Sequence, residues 1–383
     1  ITILGDVKPA AFYNLVHFTK ITLSEHTKKI GAYAFYGCTG LTQFTIPENV
    51  EYIGYQAFYN CTNISTLNYN AKNCQNLTQR QTFDYVGSAD TNVGLSLTIG
   101  KNVERIPNYL FASGGTNYNY LYNITFESGS VLQEIGIYAF YNCGSYTSLT
   151  LPSNLKKIGE QAFYNCQKLA GSLVIPDSVE EIGYYAFYSN NYVTSITIGT
   201  GLKRITNNST SYVIYDFNAV TNIYYNAICM EGRETNQSVY LFNDMGSSSV
   251  TPTFTVGSQV TYIPPLLAYS AGYLKYVRIP HTVEYIGDYA FSNYSTLSTT
   301  TYSNALYLSN GTNAYAFLIK ASSTSITSAT IHPECRFIAS GAFKDCTALT
   351  TVTVGTNVKC IGIGAFSGCT VLKTFNYNAT NTN

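Results

Sequence analysis

Residues 41–61 read LTQFTIPENVEYIGYQAFYNC, and this stretch decides the fold because its pattern returns along the whole chain. An Ile stands five residues before a Phe at Ile30/Phe35, Ile53/Phe58, Ile106/Phe111, Ile135/Phe140, Ile158/Phe163, Ile182/Phe187, Ile286/Phe291, Ile338/Phe343 and Ile361/Phe366. A second column of apolar pairs four residues apart, such as Ile46/Val50, Ile99/Val103, Ile175/Val179 and Val354/Val358, precedes the first by a fixed interval. Self-similarity at a period of roughly 23 residues is the mark of stacked repeats.

Each part of the unit has its own geometry. Leu41, Phe44 and Ile46 with Gln43 and Thr45 between them give the alternation of a half-buried strand. Pro47, or Gly100, Gly199, Gly257 and Gly355 in other coils, ends that strand, because Pro lacks an N–H and Gly admits turn geometry. Val50 and Ile53 begin the return leg, and Ala57-Phe58 places a small and a large residue inside from a short helical or 3₁₀ turn. One coil cannot bury its apolar flank alone, so the coils must stack. The expected fold is a β-rich α/β repeat. It is a right-handed solenoid with one continuous parallel β-sheet on its concave face and short helical or 3₁₀ turns on its convex face.

Composition narrows the function. The 383 residues carry 21 Lys+Arg against 21 Asp+Glu, a net charge of zero, with only 11 % charged positions. A phosphate-binding surface needs a basic excess, so an electrostatic nucleic-acid binder is excluded. A content of 45 % hydrophobic residues, with 36 Tyr and 20 Phe, demands a folded chain. No run approaches the roughly 18 apolar residues of a membrane-spanning helix. Four His, two Met and no Trp leave little material for metal or general-base chemistry. His17, His26, His281 and His332 fall singly, no Cys or His pair has zinc-ligand spacing, and no G-x-S-x-G elbow occurs. No catalytic residue, metal or cofactor is expected.

The unit, with its I-G-x-x-A-F-x-x-C run, resembles the BspA-like (Treponema-type) leucine-rich repeat of surface proteins from bacteria and some parasitic protists. The resemblance covers nearly the whole chain and departs from the pattern at 72–93, 203–250 and 303–323. It implies an exported, cell-surface binding or adhesion module that attaches to host proteins or other cells. A first residue that is Ile rather than Met and a last segment that stops inside the motif fit an excised ectodomain.

The expected organisation is a single solenoid over 1–383 with about fifteen coils, irregular coils at 203–250 and a β-hairpin insertion at 303–323. The hairpin rests on Ser309-Asn310-Gly311-Thr312 between two β-prone runs.

Alternation places one outward residue per strand in register. The column reads Thr22, Thr45, Asn68, Thr98, Thr125, Thr150, Val174 and Thr197, then Tyr224, Thr255, Arg278, Thr301, Thr330, Thr353 and Asn376. Thr simply favours strands and pairs well with Thr across them. The functional reading is an uncharged hydrogen-bonding track for a protein, peptide or glycan. Its candidate binding residues are Thr45, Thr98, Thr125, Thr150, Thr197, Tyr224, Thr255, Tyr276, Arg278, Thr330 and Thr353.

Tyrosines around Ala-Phe, among them Tyr36, Tyr59, Tyr141, Tyr164 and Tyr188, either cover a thin core or offer aromatic contact for adhesion and glycan stacking. Cys38, Cys61, Cys143, Cys166, Cys346 and Cys369 follow the column Phe by three residues and read as buried free thiols rather than disulfides. Beside the binding module stand a structural spacer presenting other domains and, third, an enzyme with its pocket in an irregular segment.

Overall fold

The computed structural model describes residues 1–87, 94–115, 120–206, 212–228, 230, 239–291 and 296–380. It divides into two compact units, Ile1–Ala219 and Val220–Asn383.

In the first unit every apolar position of the coil at 41–61 lies inside. Leu41, Phe44, Ile46, Val50, Ile53, Ala57, Phe58 and Cys61 are all buried. The outward-facing strands of this unit are β1 (Thr22–Leu23), β2 (Gln43–Ile46), β3 (Thr66–Tyr69), β4 (Leu95–Ile99), β5 (Leu121–Phe126), β6 (Ala170–Ile175) and β7 (Tyr192–Ile198). β2, β3, β4 and β5 form one parallel ladder, and β6 pairs with β7. A second ladder of short strands runs along the return leg, where Ile106, Ile135, Ile158, Ile182 and Ile205 stand in register.

The strand ladder is not continuous, contrary to the expectation of one unbroken sheet. β1 does not join β2, and residues 148–151 form no strand between β5 and β6. One position contributes to the break. Where the residue after the strand has an N–H, it donates to the preceding coil: Asn70 to the Ile46 carbonyl at 3.0 Å, Gly100 to Tyr69 at 2.9 Å, Glu127 to Ile99 at 3.0 Å. Pro47, Pro152 and Pro176 occupy that position in coils that fail to pair with the one before, and proline has no proton to give; Pro280 stands there too, and its strand still pairs over Tyr276–Arg278, so the missing rung weakens the ladder without deciding it alone.

The turn side corrects a second expectation. Among the described residues there is no α-helix or 3₁₀-helix there. Alternate N–H groups close tight turns within a coil, as Ala139 to Gly136, Tyr141 to Tyr138 and Cys143 to Phe140. The N–H groups between them leave the coil: Tyr138 donates to Glu160, Phe140 to Ala162 and Asn142 to Tyr164 on the next coil, at 2.8–2.9 Å. A helix would need all of them for itself. Tyr138 and Asn142 have φ of 57°, at the third position of the first and last of these three overlapping turns, as type II geometry requires, while Phe140 at the third position of the middle turn has no positive φ. The same pair of left-handed residues flanks other column Phe residues, at Gln56/Asn60, Gln161/Asn165 and Tyr185/Ser189, while beside Phe111 only Tyr109 is left-handed.

The interior of this unit is a file of rings. Phe12, Phe35, Phe58, Phe83, Phe111, Phe140, Phe163 and Phe187 follow one another with centroids 5.1–5.4 Å apart. Phe83 belongs to this file although no Ile stands five residues before it, so the described part of the irregular stretch, 72–87, keeps the ring file while losing the Ile column.

In the second unit β8 (Asn222–Tyr225), β9 (Thr253–Val256) and β10 (Tyr276–Arg278) pair in parallel. β11 (Thr300–Tyr302), β12 (Ala305–Leu308) and β13 (Phe317–Ala321) form an antiparallel meander, with Ser303 and Asn304 both at positive φ in the first tight turn. This segment does not protrude. β13 pairs in parallel with Phe337–Ile338, and Ala305, Tyr307 and Leu318 are buried in one cluster with Ile338 and Phe343. β14 (Ser328–Thr330), β15 (Thr351–Val354) and β16 (Thr374–Tyr377) form the last parallel ladder. Of the irregular stretch 203–250, residues 207–211, 229 and 231–238 lie outside the described residues.

Candidate functional site

The pleat sends alternate residues outward from each ladder, and the register brings most of the candidate residues side by side. Thr45 stands beside Asn68, Asn68 beside Thr98, and Thr98 beside Thr125. Asn68 Nδ2 donates to Thr45 Oγ1 at 3.3 Å, and Asn123 Nδ2 to Thr125 Oγ1 at 3.2 Å. Thr197 lies beside Val174 on the second pair of strands. Thr150 is exposed but sits on the unpaired segment 148–151, so no ladder neighbour holds it.

In the second unit Tyr224, Thr255 and Arg278 form one row, and Tyr276 lies in the adjacent outward row beside Thr253. The Lys275 ammonium stands 5.4 Å from the centre of the Tyr276 ring. Thr330, Thr353 and Asn376 form a further row.

This face is neutral because the charges are gathered elsewhere. On the return leg Glu180 accepts from Lys156 at 3.1 Å and from Lys203 at 2.9 Å, and Lys28 bridges to Glu51 at 3.1 Å. The two lysines hold the Glu180 carboxyl below its usual range. Burial pushes Glu181 upward, but hydrogen bonds from Arg204 and Lys157 outweigh it and leave the group lowered. Exposed pairs of this kind contribute little individually. Their effect is to leave the strand rows to hydroxyls and amides. The sequence reading missed this ladder, although Glu51, Glu104, Lys156, Glu180 and Lys203 share one position of the unit.

The column tyrosines do not offer sugar-stacking platforms. Tyr13, Tyr36 and Tyr59 stack on one another at 4.8 and 5.0 Å, and Tyr141, Tyr164, Tyr188 and Tyr215 at 4.8, 4.4 and 5.1 Å. Each inner ring spends both faces on its neighbours, so edges and hydroxyls are what reach water. Burial, followed by the neighbouring Tyr188, pushes the Tyr164 hydroxyl up to about 12.

The nine described cysteines are free thiols, and Cys229 lies outside the described residues. Their column has a physical reason. Cys61 Sγ donates to the Phe35 carbonyl of the preceding coil at 3.0 Å, Cys143 to Phe111 at 3.2 Å and Cys166 to Phe140 at 3.4 Å. Asn190 at the same position makes the same bond to Phe163 at 3.1 Å. The position takes a small or medium side chain, with Val86 and Gly114 in two other coils, and where it is Cys or Asn the side chain adds a bond to the preceding coil. Burial pushes the Cys166 thiol up to about 12, and Cys61 and Cys143 also upward.

A thiol shifted that far holds roughly a thousandfold less thiolate than a free cysteine, and the thiolate is the nucleophile. At pH 8 iodoacetamide is therefore expected to leave Cys61, Cys143 and Cys166 unmodified in the native protein while alkylating all three in urea, read by peptide mass spectrometry. Rapid alkylation of Cys166 in the native state would contradict the placement.

Among the described residues no group of three His, Cys, Asp or Glu side chains could hold a metal ion. Asp84 is the notable buried acid. Burial pushes its carboxyl up to about 6, and it accepts the Gly114 N–H at 3.0 Å. That bond ties two neighbouring coils.

The repeat geometry is matched by comparison. The sequence profile of the BspA type leucine rich repeat region fits the chain in six copies, over residues 5–114, 89–215 and 261–383. Among solved structures, a leucine rich cell surface protein from Faecalibacterium prausnitzii A2-165 is 23 % identical, covering 99 % of this chain and 90 % of that one, with a TM-score of 0.36. A leucine-rich repeat protein from Bacteroides ovatus is 18 % identical over 91 % of this chain and 82 % of that one, with a TM-score of 0.41. The pneumococcal vaccine antigen PcpA is 17 % identical over 82 % and 75 %, with a TM-score of 0.37. No curated protein matches the chain. Coils that recur in register, with Ile, Ala-Phe and Cys columns buried one above another under a profile spanning most of the sequence, place the chain in the BspA type leucine rich repeat family.

Proposed function

We propose that the chain is an extracellular, cell-surface binding module that takes a protein ligand across the outward rows of its strands. One observation carries this reading: the strand rows are exposed or half-buried and uncharged apart from Arg278, while Lys28, Glu51, Lys156, Glu180 and Lys203 of the first unit pair with each other on the return leg. A neutral row of hydroxyls and amides at strand spacing suits a partner recognised by hydrogen bonds and shape rather than by charge. A glycan could use the same rows, although the stacked tyrosines do not present ring faces to it.

The test is retention of the full chain on a panel of immobilised matrix proteins and glycans, with Thr45, Thr98 and Thr125 replaced together by Lys. Three charges in one row are expected to lower retention at least tenfold on the protein that the native chain binds, with the fold unchanged by circular dichroism. Retention unchanged by the triple substitution would favour the reading as a spacer that presents other domains.

A further inference from the structure

We propose that the opening between β5 and residues 148–151 is a slot for one extended peptide strand of a partner protein, docked by main-chain hydrogen bonds. The inference rests on the binding-module reading above and names where and how a ligand enters.

The slot is built by the chain itself. On the return leg the two coils are in register, with Glu134 beside Lys157 and Ile135 beside Ile158, and on the turn side Phe140 donates to Ala162 at 2.8 Å. Only the strand side has parted. There a cleft of about 410 Å³ opens, lined by Asn123 to Glu127, Gly129 and Ser130 on one lip and by Ser148 and Thr150 to Asn154 on the other, with Asn154 Nδ2 donating to the Ser130 carbonyl at 2.7 Å at one end. That volume lies within the range of about 300–1,000 Å³ that ligand sites occupy.

Both lips carry unused backbone. In the intact ladder the inward residues bond forward, as the Tyr69 and Ile99 carbonyls accept from Gly100 and Glu127. At the corresponding place Phe126 faces Pro152, which has no N–H, and residues 148–151 make no backbone hydrogen bond to either neighbouring coil. One strand edge, β5, and one extended segment without backbone partners, 148–151, flank the cleft, and an added strand pairing with the free edge of β5 would match its alternating donors and acceptors. The same construction recurs between β1 and β2, ahead of Pro47, where Ile21, Leu23 and Phe44 line a cleft of about 320 Å³. Glu127 is the only charged lining residue of the larger cleft, so the occupant is expected to be a neutral, Ser/Thr/Asn-rich segment.

The test is hydrogen–deuterium exchange of the full chain with a synthetic peptide of the sequence Ser65–Ala71 (STLNYNA), which already pairs on both edges as β3. The expected result is at least tenfold slower exchange at 148–151 and 123–126 with the peptide. The same peptide N-methylated at its four central residues should give no protection, since its N–H donors are gone. Pro152→Gly, which supplies the missing rung as Gly100 does, should slow exchange there without any peptide and remove the peptide's effect.

The proposal is overturned by no added protection in the native chain, by equal protection from the N-methylated peptide, or by unchanged peptide protection in Pro152→Gly. Protection by maltoheptaose in place of the peptide would overturn it in favour of a glycan cleft. Ligand retention that is lost in the Thr45/Thr98/Thr125 variant but untouched in Pro152→Gly would sink the slot and leave the binding-module reading standing.

Discussion

Phe140→Ala is expected to destabilise the unit at 1–219 by about 4–8 kcal/mol. The ring is fully buried and sits in mid-file, stacked at 5.3 Å on Phe111 and at 5.2 Å on Phe163. Truncating a buried Phe costs about 3–5 kcal/mol through lost transfer energy and the cavity left behind. Two aromatic contacts add about 0.5–1.5 kcal/mol each. In a stack where each coil touches only its neighbours, such a loss in the middle also uncouples the two halves. Phe12 is the internal comparison, because it is half-buried and stacks on Phe35 alone. Phe12→Ala should cost less than half as much. Urea unfolding followed by peptide-resolved hydrogen exchange over 1–219 reads both, and equal costs would mean that the file of rings does not carry the stack.

Gly159→Ala is expected to cost about 3 kcal/mol or more, for a reason unrelated to glycine's backbone freedom. A Cβ at Gly159 would lie 2.6 Å from the Gly136 carbonyl carbon and from the Ile137 nitrogen on the preceding coil. Backbone atoms cannot swing aside, so the coils must part and the Gly159 N–H bond to Ile135, 2.8 Å long, must stretch. Gly54 stands at the same place, with its would-be Cβ 2.3 Å from the Ala32 nitrogen. Gly5 has open space around it, so Gly5→Ala should change stability by less than about 0.5 kcal/mol. Thermal unfolding of the two variants compares them, and a Gly159→Ala protein as stable as Gly5→Ala would refute the close approach.

These two positions also show what the sequence made legible. The Ile, Ala-Phe and Cys columns could be read because a side chain that must be buried in every coil leaves a residue type behind at every period. The turn conformation could not be read as directly. A helix and a chain of overlapping tight turns both put Ala57-Phe58 inside, and the difference lies in where alternate N–H groups point. A signal existed in the residue two after the column Phe, which is Gly37, Asn60, Asn142, Asn165 or Ser189, types that tolerate or favour left-handed geometry. The partner position two before the Phe gave none, since Tyr138 and Gln161 accept a positive φ at a cost of roughly 1 kcal/mol each. Their side chains find partners there: Tyr138 stacks on Tyr109 at 4.9 Å, and Gln161 Nε2 donates to Tyr138 Oη at 2.8 Å.

The candidate face was legible to a similar depth. Strand alternation placed most of the column on paired strands because the period of a strand is two, but Thr150 lies on no strand and Thr301 on the antiparallel meander. It could not show that the sheet parts at 148–151, since Leu149 and Leu151 keep the apolar pattern and remain buried. Pro152 was visible, and its meaning depended on knowing that the same position in other coils donates the last rung of the ladder.

The central claim is that neighbouring coils are joined on the turn side by their own main chains. Hydrogen-bond scalar couplings in a deuterated, ¹⁵N,¹³C-labelled sample measure this directly. The structure predicts correlations from the Phe140 amide nitrogen to the Ala162 carbonyl carbon and from Phe163 to Ala186, alternating with Cys143 to Phe140 within the coil. Correlations running from each residue to the carbonyl three or four positions before it, with none between coils, would contradict the account.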